Sequence, residues 1–197
     1  MFSGIVEALA KVVALEREKE NLHITLECPF AKALKVDQSV AHNGVCLTVV
    51  RRDDKTYTVT AIQETLIKSN LGLLKVGDEV NVERSMKIDS LLDGHLVQGH
   101  VDQTAVCQDV READGSWYYT FAYDTSAGNI TVEKGSVSVN GTSLTVVNSQ
   151  HGSFEVAIIP YTYEHTNFHA IQKGTVVNLE FDIVGKYITK LARLYMK

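Results

Sequence analysis

Apolar and polar residues alternate over short runs through most of this chain. The segments "TYTVTAI" (56–62), "DEVNVE" (78–83), "SVSVNG" (136–141), "SFEVAII" (153–159) and "TVVNLE" (175–180) each place hydrophobic side chains on one face at a period of two. That is the pattern of strands with one buried face, and their Val, Ile, Thr and Tyr content agrees. Asn-Gly stands between such runs at 43–44 and 140–141. Both residues accept positive φ, so each pair predicts a tight hairpin. Many short strands at close spacing predict small antiparallel barrels. "KVGDEV" (75–80) and "QKGTVV" (172–177) each put a glycine turn ahead of a strand. "CPFAKAL" (28–34) and "QETLIKSN" (63–70) fit single helical turns, whereas the β-formers of "YTYEHTN" (161–167) leave its state open.

The pattern changes at the end. In "GKYITKLARLYMK" (185–197), Tyr187, Ile188, Leu191, Leu194 and Tyr195 form one helical stripe, with Lys186, Lys190 and Arg193 on other faces. A helix over 186–197 follows, with Gly185 at the junction. Its stripe suits docking on its own barrel or on another subunit equally well.

Sliding the chain against itself reveals its organisation. At an offset of 97, residues 39–83 align with 136–180 without a gap and with 16 identities in 45. The matches include Asn43/Asn140, Gly44/Gly141, "LTVV" at 47–50 and 144–147, Thr65/Thr162, Asn70/Asn167, Asn81/Asn178 and Glu83/Glu180. The opening "GIVEALA" (4–10) matches "GHVDQTA" (99–105) at an offset of 95. A period this long marks duplicated domains rather than a solenoid. The expected architecture is all-β: two tandem six-stranded barrels, 1–90 and 91–185, plus the terminal helix 186–197.

Composition narrows the function. A net charge of -5, with no basic cluster, argues against a nucleic-acid partner. "MFSGIVEALAKVV" lacks the basic flank and long apolar core of a signal peptide, and no stretch approaches the roughly 18 apolar residues of a membrane span. Cys28, Cys46 and Cys107 are odd in number and lack C-x-x-C spacing, which suits free thiols in a reducing cytoplasm. Neither a nucleotide-binding glycine fingerprint nor a metal-ligand cluster is present, so no cofactor and no metal is expected.

One difference between the copies bears on chemistry: Cys46 stands where the second copy has Ser143. In a strand, 46 shares a face with 48 and 143 with 145. Short hydroxyls and a thiol on one face can bond the polar edge of a flat heterocycle. The thiol is the better nucleophile of the two, though a free cysteine also serves as a small hydrophobe.

"MFSGIVE", "SVAHNGVCLTV", "KVGDEVNVER", "DGHLVQGHVD", "VNGTSLTV" and "DIVGKY", taken in order, resemble the riboflavin synthase family of the two-lumazine-binding-domain type over essentially the whole chain. The resemblance implies Greek-key barrels and a dismutation. Two molecules of 6,7-dimethyl-8-ribityllumazine react, one donating four carbons to the other, giving riboflavin and 5-amino-6-ribitylaminouracil. It implies a homotrimer joined through the terminal helix. The two substrates then lie between the first barrel of one subunit and the second barrel of the next. It also admits an association with lumazine synthase. A non-catalytic relative, the antenna lumazine protein of luminous bacteria, shares this fold but departs at "CLTV" and "GHVD".

Carried over by position, the resemblance implies a first pocket with Ser39, Cys46 and Thr48, near which His100 is a proton shuttle. Thr65 and Val101 are further substrate contacts. The second unit supplies Lys134, Asn140, Ser143, Thr145, Ile159, Thr162 and Asp182, and Gly4 and Val6 lie close to the bound ligand. Cys46, His100, Ser143 and Asp182 carry the implied catalytic roles, with Cys46 assisting rather than serving as an obligatory nucleophile. Many relatives have aspartate at the position of Asn140, whose amide cannot act as a base. Asp182 fits either a catalytic carboxylate or a helix N-terminal acid. His95 and His42 are expected to serve structure.

Overall fold

The computed structural model describes residues 1–195. Its first barrel contains β1 (Ala8–Glu18), β2 (Asn21–Glu27), β3 (Ser39–His42), β4 (Val45–Arg52), β5 (Thr56–Ala61) and β6 (Glu79–Arg84). The second contains β7 (Gln103–Ala113), β8 (Ser116–Tyr123), β9 (Ser136–Val139), β10 (Thr142–Gln150), β11 (Ser153–Ile158) and β12 (Val176–Phe181). Both close in the same order, with β2 against β5 and β6 joining β3 to β1 in the first, a Greek-key path. Bulges fall at corresponding points, between Val12 and Ala14 in β1 and between Cys107 and Asp109 in β7. Such bulges bend strands, which helps a six-stranded sheet to close.

The alternation read in the sequence fills each interior. Val40, Val49, Tyr57, Val59, Val80 and Val82 are core in the first barrel; Val137, Val146, Phe154, Val156, Val177 and Leu179 repeat them in the second. One exchange breaks the likeness. Buried His42 bonds the Tyr57 hydroxyl through Nε2 at 2.8 Å, where the second barrel has apolar Val139 and Phe154.

Both predicted helical turns form: a 3-10 turn at Ala31–Ala33, and α1 (Gln63–Lys68) followed by another 3-10 turn at Asn70–Leu73. "YTYEHTN" is also helical, as α2 (Pro160–His165). Pro160 presets φ at its first position, and Tyr163 stacks on Trp117 with ring centroids 3.9 Å apart. Packing thus overrides β propensity there. The terminal helix α3 (Ile183–Tyr195) starts earlier than predicted, because Asp182 Oδ1 accepts the Val184 N–H at 2.9 Å; Gly185 lies in its first turn. Met196 and Lys197, the end of the expected 186–197 helix, lie outside the described residues. Tyr187, Ile188, Leu191, Leu194 and Tyr195 are all more than half exposed, so this stripe does not dock on the chain's own barrels.

The barrels meet about a pseudo-twofold axis. The Asn-Gly turns, with Asn43, Gly44, Asn140 and Gly141 all at positive φ, touch tip to tip: a Cβ on Gly44 would lie 2.8 Å from the Gly141 nitrogen. Around them the duplicated asparagines bond crosswise. Asn81 Nδ2 donates to the Asn140 carbonyl and Asn178 Nδ2 to that of Asn43, at 2.9 and 2.8 Å. Asn167 N donates to Asn81 Oδ1 and Asn70 N to Asn178 Oδ1, at 2.8 and 2.6 Å.

Candidate functional site

One outer face of each barrel looks toward its partner. Across β6, β3 and β4 the paired residues are Glu83, Ala41 and Cys46. Across β12, β9 and β10 they are Glu180, Ser138 and Ser143. Between the faces run two extended segments that lead into β1 and β7. They pair through Phe2 and Val97, whose N–H groups donate to each other's carbonyls at 2.8 and 3.1 Å.

Each lead-in segment reaches the opposite barrel. The Cys46 N–H donates to the Gly99 carbonyl at 2.8 Å, and the Ser143 N–H to the Gly4 carbonyl at 2.7 Å. Both glycines have positive φ, and there is no room for more: a Cβ on Gly99 would lie 2.5 Å from Cys46 Cβ, and one on Gly4 2.6 Å from Ser143 Cβ. The contacts are therefore backbone to strand.

At the first face the structure gathers Cys46, Thr48 and its cross-strand partner Ser39, together with Gly99, exposed His100 and Val101. Val101 packs on the first barrel's core although its segment leads into the second barrel. The Cys46 side chain packs with Phe2, Ala41 and Val97, so the thiol is half-buried against apolar neighbours. Thr65 lies half-buried on α1, its carbonyl held by the Ser69 N–H at 3.1 Å.

The second face carries Ser143, exposed Thr145 paired with Ser136, Gly4 and half-buried Val6. Lys134 is exposed just before β9, its N–H on the Val146 carbonyl at 3.0 Å. Exposed Ile159 precedes α2, and half-buried Thr162 lies on it.

Sequence reasoning missed His95 here. Its Nδ1 lies 2.6 Å from Ser143 Oγ, and its backbone N–H donates to the Ser3 carbonyl at 3.1 Å. Burial pushes its imidazole below the usual histidine pKa and so favours a neutral ring, against the pull of the Asp182 charge toward the protonated form. A neutral imidazole bonded to a hydroxyl can accept or return a proton. Asp182 caps α3, the helix N-terminal role, and its charge also acts on this histidine. The repeat comparison could not flag His95, because its counterpart would precede residue 1.

Asn140 is buried at the inter-barrel junction. Its Oδ1 accepts from Asn178 N (2.8 Å) and Asn70 Nδ2 (3.2 Å), and its Nδ2 donates to Asn167 Oδ1 (3.4 Å). As the first residue of the Asn-Gly turn, at φ 46°, it leaves the strand face on which Ser143 and Thr145 lie.

The faces are alike in frame and unlike at one corner: Cys46, bonded through its N–H to the Gly99 that precedes His100, in one, and Ser143 bonded to His95 in the other. Such a pair suits two copies of one ligand that must be treated differently.

Comparison with known proteins agrees with this duplication. The family model of the lumazine binding domain matches residues 3–85 and again 98–182. The riboflavin synthase of Mycobacterium tuberculosis is 40% identical over 198 residues, covering 98% of both chains. That of Actinobacillus pleuropneumoniae is 37% identical over 189 residues, covering 95% of this chain and 88% of the relative. Among solved structures, LumP complexed with 6,7-dimethyl-8-(1'-D-ribityl) lumazine superposes with a TM-score of 0.84 at 20% identity, over 92% of this chain and 99% of that one. The likeness to LumP is one of fold.

Proposed function

We propose a function from one premise: this chain belongs to the lumazine binding domain family, carrying the domain twice. It is a riboflavin synthase. It takes two molecules of 6,7-dimethyl-8-ribityllumazine, transfers a four-carbon unit from one to the other, and releases riboflavin and 5-amino-6-ribitylaminouracil. In class it is a transferase. The observation that carries the reading is the pseudo-twofold pair of faces, each completed by the other barrel's lead-in segment and marked by Cys46 or Ser143. Relatives named riboflavin synthase, at 37–40% identity over nearly the whole chain, support it.

The dismutation needs two equal ligands held in register. Juxtaposing them replaces a bimolecular encounter, an effect on the order of 7–11 kcal/mol. Reaction begins with loss of a proton from the acidic 7-methyl group of one lumazine. The other is activated by nucleophilic addition at its ring; the two join and the adduct fragments. In this reading Ser39, Thr48, Ser136 and Thr145 orient the ligands' polar edges. His95 relays a proton through Ser143 at the second pocket, and His100 serves the first, where the Cys46 thiol assists. Lys134, Ile159, Thr162, Thr65, Val6 and Val101 line the ligands.

The exposed stripe on α3 offers a surface for self-association; a homotrimer, with the reacting pair between the first barrel of one subunit and the second barrel of the next, belongs to the same reading. A cytoplasmic setting suits the three free thiols, and an association with lumazine synthase belongs to the same reading.

Incubation with the lumazine alone tests the proposal. Riboflavin fluorescence must rise at its longer wavelength. Binding without product would make this chain a lumazine-holding protein instead, and neither would reduce it to a double-barrel module.

A further inference from the structure

The contacts between the lead-in segments and the barrels have a common source. Glu83 and Glu180, counterparts in the repeat, are both buried and have no ion-pair partner among the described residues. Each carboxylate is instead met by a fork of donors from one segment. Glu83 Oε1 accepts from Ser3 N and Ser3 Oγ at 2.7 and 2.9 Å, and its Oε2 from Gly4 N at 3.0 Å. Glu180 Oε1 accepts from Gln98 N at 2.6 Å, and its Oε2 from Gly99 N and His100 N, both at 2.9 Å.

A buried carboxylate is costly unless such donors compensate it. What it does in return is orient. Three N–H or O–H groups drawn to one carboxylate fix the peptide planes of the segment, and the carbonyls of those planes then point away, toward the other lead-in segment and the other barrel. Glu83 of the first barrel thereby aims Ser3 O at the N–H of His95, whose ring meets Ser143 Oγ, and holds the Gly4 Cα from which the next carbonyl, Gly4 O, meets Ser143 N. Glu180 of the second barrel aims Gly99 O at Cys46 N and fixes His100 and Val101 beside the first face.

We propose that Glu83 and Glu180 are positioning residues acting crosswise, each holding the lead-in segment that completes the opposite barrel's pocket. The proposal rests on the reading of these faces as the two substrate pockets. Each segment keeps a second tie to its own barrel: Glu7 with Arg84 at 2.6 Å, and Asp102 Oδ2 with the Phe181 N–H at 2.9 Å. Loss of the carboxylate should therefore free the segment's orientation without detaching it.

Glu83→Gln and Glu180→Gln test this in the full chain. The amide keeps the length and one acceptor but sets an NH2 against a backbone N–H. Amide hydrogen exchange, followed without ligand, reports both pockets at once. Glu83→Gln should speed exchange at Ser143 about tenfold or more, the scale of one charge-assisted hydrogen bond, and leave Cys46 unchanged. Glu180→Gln should do the reverse. Both variants should lose turnover more than thermal stability. An effect confined to each glutamate's own barrel, or spread equally over both, would overturn the proposal. Should a Gln variant fail to fold, Glu83→Asp and Glu180→Asp, which retain the charge but withdraw it by one methylene, must give the same crossed pattern. The outcomes separate the two readings. Riboflavin formation with own-barrel effects defeats only the crosswise role, and a crossed pattern without riboflavin defeats only the enzyme.

Discussion

Gly99→Ala should damage the first pocket by a known amount of movement. The new Cβ would lie 2.5 Å from Cys46 Cβ, 2.9 Å from Phe2 Cε2 and 3.0 Å from Cys46 N, whereas ordinary van der Waals contact starts at 3.4 Å. The segment or β4 must therefore yield by about 0.9 Å. The backbone at φ +80° adds strain of roughly 1–2 kcal/mol for a residue with a Cβ. Neither neighbour moves freely: β4 is paired on both sides, and the Gly99 N–H is bound to Glu180. A misplacement near 1 Å at a reacting centre can cost about 10²-fold in rate. The variant should keep the circular dichroism of the parent and lose about two orders of magnitude in kcat, with the lesion at Cys46 and His100 and not at Ser143. Steady-state kinetics with lumazine, beside a thermal melt, decides the matter. A folded Gly99→Ala protein with kcat within threefold of the parent would refute the close approach as a functional constraint.

The His42–Tyr57 pair should make the first barrel acid-sensitive. Burial lowers the His42 pKa from 6.5 to about 4, so its stabilising neutral form is lost to protonation in the unfolded chain as pH falls from 6.5 toward 4, a loss of about 3 kcal/mol. His42→Val with Tyr57→Phe copies the second barrel and should lose that much less in urea titrations between pH 7 and 4. Buried Glu83 and Glu180, whose raised pKa values act with the opposite sign in both proteins, cancel in the comparison; equal losses would reject the assignment. His95→Gln should lower kcat about 10²–10⁴-fold while leaving lumazine affinity within a few-fold. In the parent, the acid limb of kcat should lie below the usual histidine pKa of 6.5, since burial lowers the pKa of this ring; a limb above 6.5 would remove His95 as the base. Deleting residues 186–197 should shift the sedimentation coefficient from trimer to smaller species, and an unchanged oligomer would deny α3 its role.

Much of this was legible because the repeat and the period-two pattern are local signals. Asn-Gly at 43–44 and 140–141 marked both hairpins, and Cys46 and Ser143 fell on the faces their strands predict. α2 was not legible: its state is set by Trp117, which is distant in sequence and stacks on Tyr163. Nor was His95, which belongs to a linker without a duplicate. The place of Asn140 at the inter-barrel junction was not legible either, because strand periodicity does not extend to a turn residue at positive φ. The crossing of each lead-in segment onto the other barrel was hidden for a different reason. Self-comparison matches like with like within each unit and carries no information on which unit a segment touches.

The central claim is that two copies of one molecule react across two like pockets. Lumazine carrying ¹³C in both methyl groups tests it most directly. If donor and acceptor are both lumazine, the product riboflavin must contain four labelled carbons, two from each molecule, and appear one for one with unlabelled 5-amino-6-ribitylaminouracil. Riboflavin with only two labels, or bound lumazine left unchanged, would contradict the account.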